Sequence, residues 1–206
     1  MFAGVVLAGG AIVFSIWDLD LRWRPKTITR DQARIAQDLD QAGWVSPHLN
    51  GPRLYMISYR ACSDCIRFED EAFPKLQGAG VDTRVIMIAL PDRNGLAHST
   101  AAERATVAEL WIGRSWKLYQ QWTAVPAPAW TAPGIAGADG DAARTAVVEA
   151  GRALVRDLAP MLGANGVRLA FPTLIWWTRD GRMRACACES PRSYRYVEDE
   201  LGAKAP

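Results

Sequence analysis

Leu54-Tyr55-Met56-Ile57-Ser58-Tyr59-Arg60-Ala61-Cys62-Ser63-Asp64-Cys65 is an apolar run leading into two cysteines with two residues between them. Arg53 to Tyr59 has the length and residue types of a strand, and Ile66 to Leu76 reads as a helix. A thiol in the first turn of such a helix faces unpaired backbone N–H groups and the positive end of the helix dipole, which favour the thiolate. The stretch therefore predicts a thiol–disulfide site. A structural disulfide or half of a zinc site is the plainer alternative for a C-x-x-C.

Downstream, Gly78-Ala79-Gly80 supplies a C-cap, and Val81 to Leu90 reads as a second strand, closed by the loop Pro91 to Gly95. Strand, helix and strand at this spacing make a βαβ unit with parallel strands. Upstream, Pro25 to Thr29 reads as a linker. Thr29 and Gln32 fit a capping box for a helix carrying Ile35 and Leu39 on one face and ending near Gly43. Trp44 to Pro52 is loop or a short edge strand.

Thr100 to Gln121 and Asp141 to Leu162 are helical, with a break expected at Gly113 and a kink or end at Pro160. Between them lies a Pro- and Gly-rich connection, so 100–163 is an all-helical insertion. Phe171 to Trp177 is a strand led by Pro172. Asp180-Gly181 is a hairpin signal, and Arg182 to Ala187 is the returning strand. Ser190 and Pro191 open a last helix that closes at Gly202.

The composition excludes some classes. Among 206 residues, 50% are hydrophobic and the formal charge is +2 with acids and bases interspersed, so nucleic acid is a poor partner. Nine tryptophans are expected mainly in the core, with the adjacent Trp176 and Trp177 on opposite faces of a strand. His48 and His98 fall in loop-like segments without metal-ligand spacing, so both read as loop residues and not as metal ligands. Phe2 to Trp17 carries no charge. It reads as a membrane anchor, with a signal-peptide apolar region or a buried strand or helix as the alternatives; it is short for a span, and the basic residues Arg22, Arg24, Lys26 and Arg30 on its C-terminal side conflict with an extracytoplasmic domain.

From Arg53 to Gly202 the order of elements resembles the thioredoxin-fold superfamily, and the helical insertion makes the chain most similar to periplasmic disulfide isomerases and reductases of the DsbC/DsbG type. The residues that carry the resemblance are Tyr59 to Cys65, Val81 to Pro91, Phe171-Pro172-Thr173, the Asp180-Gly181 hairpin and the final helix. The resemblance implies an α/β fold with a central mixed sheet. It implies Cys62 as nucleophile, Cys65 as resolving thiol, and a cis Pro172 that with Phe171 and Thr173 shapes a groove for substrate peptide. No cofactor beyond the Cys62–Cys65 pair is implied. Two features depart from the family. Ser63-Asp64 replaces its usual inter-cysteine pair, and Asp64 should disfavour the Cys62 thiolate and make the pair less oxidising. The residues before Arg53 read as anchor plus helix rather than a dimerisation domain, which weakens an isomerase and favours a reductase or a dedicated partner role.

Cys186-Ala187-Cys188 is a further departure. The resemblance implies the four core strands in sheet order second, first, third, fourth, which puts this C-x-C at the C-x-x-C end, two strand spacings or about 10 Å away. The two cysteines are candidates for a second redox pair, closing a strained and easily reduced ring, or for a bound metal. The bland alternative is a pair of free thiols without a role. A four-cysteine zinc site is disfavoured by the separation.

The expectation is a thiol–disulfide oxidoreductase with 1–24 as anchor and linker, 25–52 as helix and loop, and 53–206 as the thioredoxin-like domain. Its partners would be cysteine-containing proteins, a thiol–disulfide recycling partner, and the membrane through its N-terminal segment. Its place would be the periplasm or another oxidising compartment. The alternative is a non-catalytic accessory subunit that uses the fold to bind proteins.

Overall fold

The structure, a computed structural model, describes residues 21–203. The segment 2–17, read above as an anchor, lies outside the described residues. Among the described residues no helix is long and apolar enough to cross a membrane.

The elements in order are β1 (Lys26–Thr27), α1 (Gln32–Gln41), β2 (Trp44–Val45), β3 (Arg53–Ser58), α2 (Ser63–Gly78), β4 (Asp82–Met87), α3 (Ala101–Gly113), α4 (Trp116–Thr123), α5 (Ala142–Gly163), β5 (Thr173–Trp177), β6 (Met183–Ala187) and α6 (Pro191–Leu201). The strands form one six-stranded mixed sheet in the order β1-β6-β5-β3-β4-β2, flanked by helices. β3 and β4 are parallel, from Arg53 opposite Asp82 to Ser58 opposite Met87, as a crossover through α2 requires. β5 is antiparallel to β3, and β6 antiparallel to β5. β6 therefore runs with β3, and the C-terminal ends of the two strands lie at one end of the sheet.

Strand alternation divides the core in two. Leu54 and Met56 join Leu174, Trp176 and Cys186 beneath α2 and α6, which contribute Phe68, Ala72, Leu76, Tyr194 and Val197. Tyr55 and Ile57 join Ile175 and Ala185 on the other face, beneath Ile35 and Leu39 of α1 and Leu154, Leu158 and Leu162 of α5. The last helix of the insertion is thus a layer of the sheet's packing. Trp176 is buried in the first core and Trp177 packs against the second, the opposite placement expected of neighbours on a strand. Trp122 is fully buried, whereas Trp44, Trp111, Trp116 and Trp130 are only partly covered.

The structure changes several local readings. Pro25 to Thr29 is not only a linker: β1 pairs antiparallel with β6, Lys26 opposite Ala185. Two residues carry no periodicity, and their partner strand lies far downstream, so no local pattern announces the pairing. The capping box expected at Thr29 does not form. Asp31 is the N-cap of α1, at φ 58° and without a side-chain cap bond. Asn165, just past α5, caps the segment instead, its Oδ1 accepting from the amides of Thr29 (2.8 Å) and Arg30 (3.0 Å). A capping box does form at Thr100 and Glu103, where α3 begins. Pro160 does not end α5, which runs on to Gly163.

Candidate active site

Cys62 is the N-cap of α2: its Sγ accepts a hydrogen bond from the Cys65 amide at 3.1 Å. The turn before it is closed by the Cys62 amide donating to the Tyr59 carbonyl (3.1 Å). Cys62 and Cys65 are joined as a disulfide, with Cα atoms 5.2 Å apart. Both are buried, at 3% and 1% exposure. Their flanking residues Ala61, Ser63 and Ile66 are exposed, so the bridge lies just beneath the surface.

Phe171, Pro172 and Thr173 lead into β5, and the Phe171–Pro172 bond is cis. The Phe171 ring meets Tyr59 edge-on with centroids 5.1 Å apart, which brings this segment to the turn that carries Cys62. Thr173 is buried and its hydroxyl is engaged locally, donating to the Ala170 carbonyl and accepting from the Ala170 amide. Of the three residues only Phe171 keeps a partly exposed side chain.

The Asp64 carboxylate is paired with Arg67, Nη2 to Oδ1 at 2.5 Å. The same Nη2 donates to the Glu189 carbonyl at 2.9 Å. The negative charge that the sequence puts between the cysteines is therefore offset by a cation one turn along. A buried cation stands on the other side: Arg60, two residues before Cys62, is 8% exposed and donates from Nη2 to the carbonyls of Val125 and Trp122. Its Nε, like the Trp122 indole N–H, is buried without a hydrogen-bond partner.

Glu69 is four residues after Cys65, hence one turn along the same helix face. Tyr119 of α4 donates from its hydroxyl to Glu69 Oε2 at 2.5 Å. Burial is the main reason that the Glu69 carboxyl is pushed up to about 7; Asp70 adds to it, and the Tyr119 hydrogen bond and the Arg60 charge pull it back. Burial and then the Glu69 charge hold the Tyr119 hydroxyl well above the usual phenol range. Tyr59, Arg60, Ile66, Glu69 and Tyr119 line a cavity of about 350 Å³. A larger cleft of about 470 Å³ lies at the other end of β3, among Arg53, Tyr55, Trp177 and Thr178, without a cysteine in its wall.

Cys186 and Cys188 are joined as a disulfide. The Cys188 amide donates to the Pro172 carbonyl at 2.9 Å, so the second bridge lies beside the segment that faces the first. Among the described residues no group of three or more His, Cys, Asp or Glu side chains is arranged to hold a metal ion.

The sequence-predicted site residues thus gather at one end of the sheet. Sequence reasoning missed Arg60, Arg67, Glu69 and Tyr119. Helical spacing from Cys65 pointed to Glu69. Nothing local pointed to Tyr119, which comes from a helix beyond β4. No protein-family model matches the chain, and no curated protein matches it.

Proposed function

We propose that this protein is a thiol–disulfide oxidoreductase with a thioredoxin-like fold, acting on protein disulfides in an oxidising compartment, akin to periplasmic disulfide isomerases and reductases. The observation that carries this reading is the Cys62–Cys65 disulfide at the start of α2, facing the Phe171-Pro172 segment across the Tyr59 contact. The βαβ unit β3-α2-β4 followed by the β5-β6 hairpin and α6 supports the fold assignment.

In the reduced protein the Cys62 thiolate keeps the hydrogen bond from the Cys65 amide and the field of the helix N-terminus. It attacks one sulfur of a substrate disulfide, and the other substrate sulfur leaves as a thiolate. Cys65 then attacks Cys62, releasing the second substrate thiol and forming the internal disulfide. The substrate gains two electrons and the pair loses two. A dithiol recycling partner restores the starting state. Reduction or isomerisation suits the pair better than strong oxidation, because Ser63 and Asp64 provide no cation between the cysteines and Arg67 only balances Asp64. The partly exposed Phe171 ring is the substrate contact; Pro172 and Thr173 set the path of the chain behind it.

The test is reduction of insulin disulfides by the full chain with a thiol recycling system. Turnover that disappears in Cys62→Ser is expected, and a wild-type rate no higher than that of Cys62→Ser would overturn the reading. One observation favours a second reading, a non-catalytic membrane-associated accessory subunit: both cysteines of the bridge are buried. In that case Cys62→Ser leaves the biological role intact and the insulin assay is silent.

A further inference from the structure

The first turns of α2 and the Cys186–Cys188 bridge belong to the same core. Phe68, three residues after Cys65 and on the same helix face, shares one apolar cluster with Cys186 and Cys188. The Phe68 ring meets Tyr194 at 4.8 Å, and Arg67 donates to the carbonyl of Glu189, the residue after Cys188. From the other side, Cys188 is hydrogen-bonded to Pro172. The strand register sets Cys186 opposite Leu174 and Leu174 opposite Met56, so the Cys186 side chain stands on the sheet face that α2 covers. The second bridge thus lies beside β5, on the sheet face covered by the helix whose first turn carries Cys65. Cys188 is fully buried and Cys186 is 7% exposed, so solvent reductants have little direct access to them.

We infer that Cys186 and Cys188 form a second redox couple, which exchanges electrons with Cys62 and Cys65 through a transient Cys65–Cys188 bond. This relay rests on the dithiol chemistry proposed above. With the first pair reduced and the second oxidised, the Cys65 thiolate attacks Cys188. The Cys65–Cys188 bond forms, the Cys186–Cys188 bond breaks, and Cys186 leaves as a thiolate that takes up the proton given up by Cys65. The Cys62 thiolate then attacks Cys65. The Cys62–Cys65 bond forms, the Cys65–Cys188 bond breaks, and Cys188 takes up the proton of Cys62. Two electrons and two protons pass inward without an added oxidant or reductant, and the reverse sequence passes them out. The fully oxidised chain can accept four electrons through one surface-proximal pair.

The first test uses the full chain carrying Cys62→Ser and Cys186→Ser, equilibrated in a glutathione redox buffer and mapped without reduction by peptide mass. A Cys65–Cys188 linked peptide is the expected dominant product. Cys65 and Cys188 found only free or glutathionylated would overturn the relay. The second test compares reduction of Cys186–Cys188 by dithiothreitol in wild type and in Cys62→Ser/Cys65→Ser. At least a tenfold slowing in the variant is expected, and equal rates overturn the proposal. Neither test uses a protein substrate. Failure of the wild type to reduce insulin would therefore count against the proposed function, whereas absence of the link with insulin reduction intact counts against the relay alone.

Discussion

The two ends of the sheet each carry a tyrosine hydrogen-bonded to a carboxylate beside a cavity, and they behave differently. At the cysteine end, Tyr119 and Glu69 bond to each other, no cation among the described residues pairs with Glu69, and Arg60 acts only through its field. At the opposite end, Tyr55 donates to Asp40 while Arg84 donates to the Tyr55 hydroxyl at 2.7 Å, lies over the Tyr55 ring and pairs with Asp82 at 2.8 Å. Asp40 is largely exposed. The result is a carboxyl pushed up to about 7 at one end, and at the other a phenol pushed up to about 12, chiefly by burial. The same donor and acceptor types put the shift on the carboxyl where it is covered and pairs with no cation, and on the phenol where Arg84 bonds to the tyrosine and the carboxylate is exposed. The end with the covered carboxyl also holds both disulfides.

The strongest way to break this contrast is to move chemistry between the ends. Cys62→Ser should lower disulfide exchange by at least about a thousandfold, since the proposed nucleophile is lost. Tyr55→Phe at the opposite end should leave the rate within about twofold, because that cleft contains no group able to exchange electrons. Steady-state insulin reduction measures both. A large loss in Tyr55→Phe would mean that the 470 Å³ cleft is part of the site.

The next effect is on stability against pH. Folding raises the Glu69 carboxyl from near 4.5 to about 7, so the folded chain binds a proton in that interval that the unfolded chain does not. Below about 4.5 both states are protonated and burial of the carboxyl costs little. Stability is lost as pH rises from about 4.5 to about 7, and above about 7 both states are ionised and the loss is complete. Glu69→Gln removes that loss. Its stability relative to wild type should rise between pH 4.5 and 8 by on the order of 3 kcal/mol at most. Urea unfolding at the two pH values checks this, and parallel behaviour of wild type and variant would show that Glu69 is not held near neutrality.

Much of this arrangement was legible because it is written locally. The βαβ unit, the Asp180-Gly181 turn, the Ser190-Pro191 helix start and the opposite faces of Trp176 and Trp177 all follow from spacing or turn chemistry. The topology then carried the C-x-C to the end of the sheet where the first cysteines lie. What escaped depends on partners distant in the chain. β1 is too short to have a period, Asn165 caps a helix start 135 residues away, and Tyr119 reaches Glu69 from within the insertion. The charge argument at Asp64 was incomplete for a different reason. Arg67 was visible at helical spacing, but its choice between solvent and Asp64 is settled by Glu189, which holds it in place.

At the remote end, Tyr55→Phe should destabilise the protein by about 1 kcal/mol, the usual net value of a hydrogen bond. The offset should be constant between pH 4.5 and 8, because a phenol held near 12 does not titrate there. Against the sloping profile of Glu69→Gln, a flat one sharpens the contrast. A slope in Tyr55→Phe would mean that Asp40 and Arg84 couple to pH through the tyrosine, and the two ends would then be alike.

The smallest effect is expected at Asp64, where the sequence alone suggests a large one. An unpaired carboxylate in the first turn of α2 opposes the thiolate at Cys62. Arg67 at 2.5 Å, itself tied to the Glu189 carbonyl, puts a positive charge beside that carboxylate, and the pair is more than a third exposed, where solvent screens what remains. Asp64→Asn removes one charge and leaves Arg67 unbalanced. The variant should lower the pH midpoint of Cys62 alkylation by only about half a unit and change stability by less than about 1 kcal/mol. Iodoacetamide rates across pH on the reduced protein measure the first quantity. The double variant Asp64→Asn/Arg67→Gln should return the midpoint toward wild type. If the double variant instead falls further, Arg67 was not the offsetting charge, and the near-neutral first turn that argues for a mild pair would have to come from elsewhere.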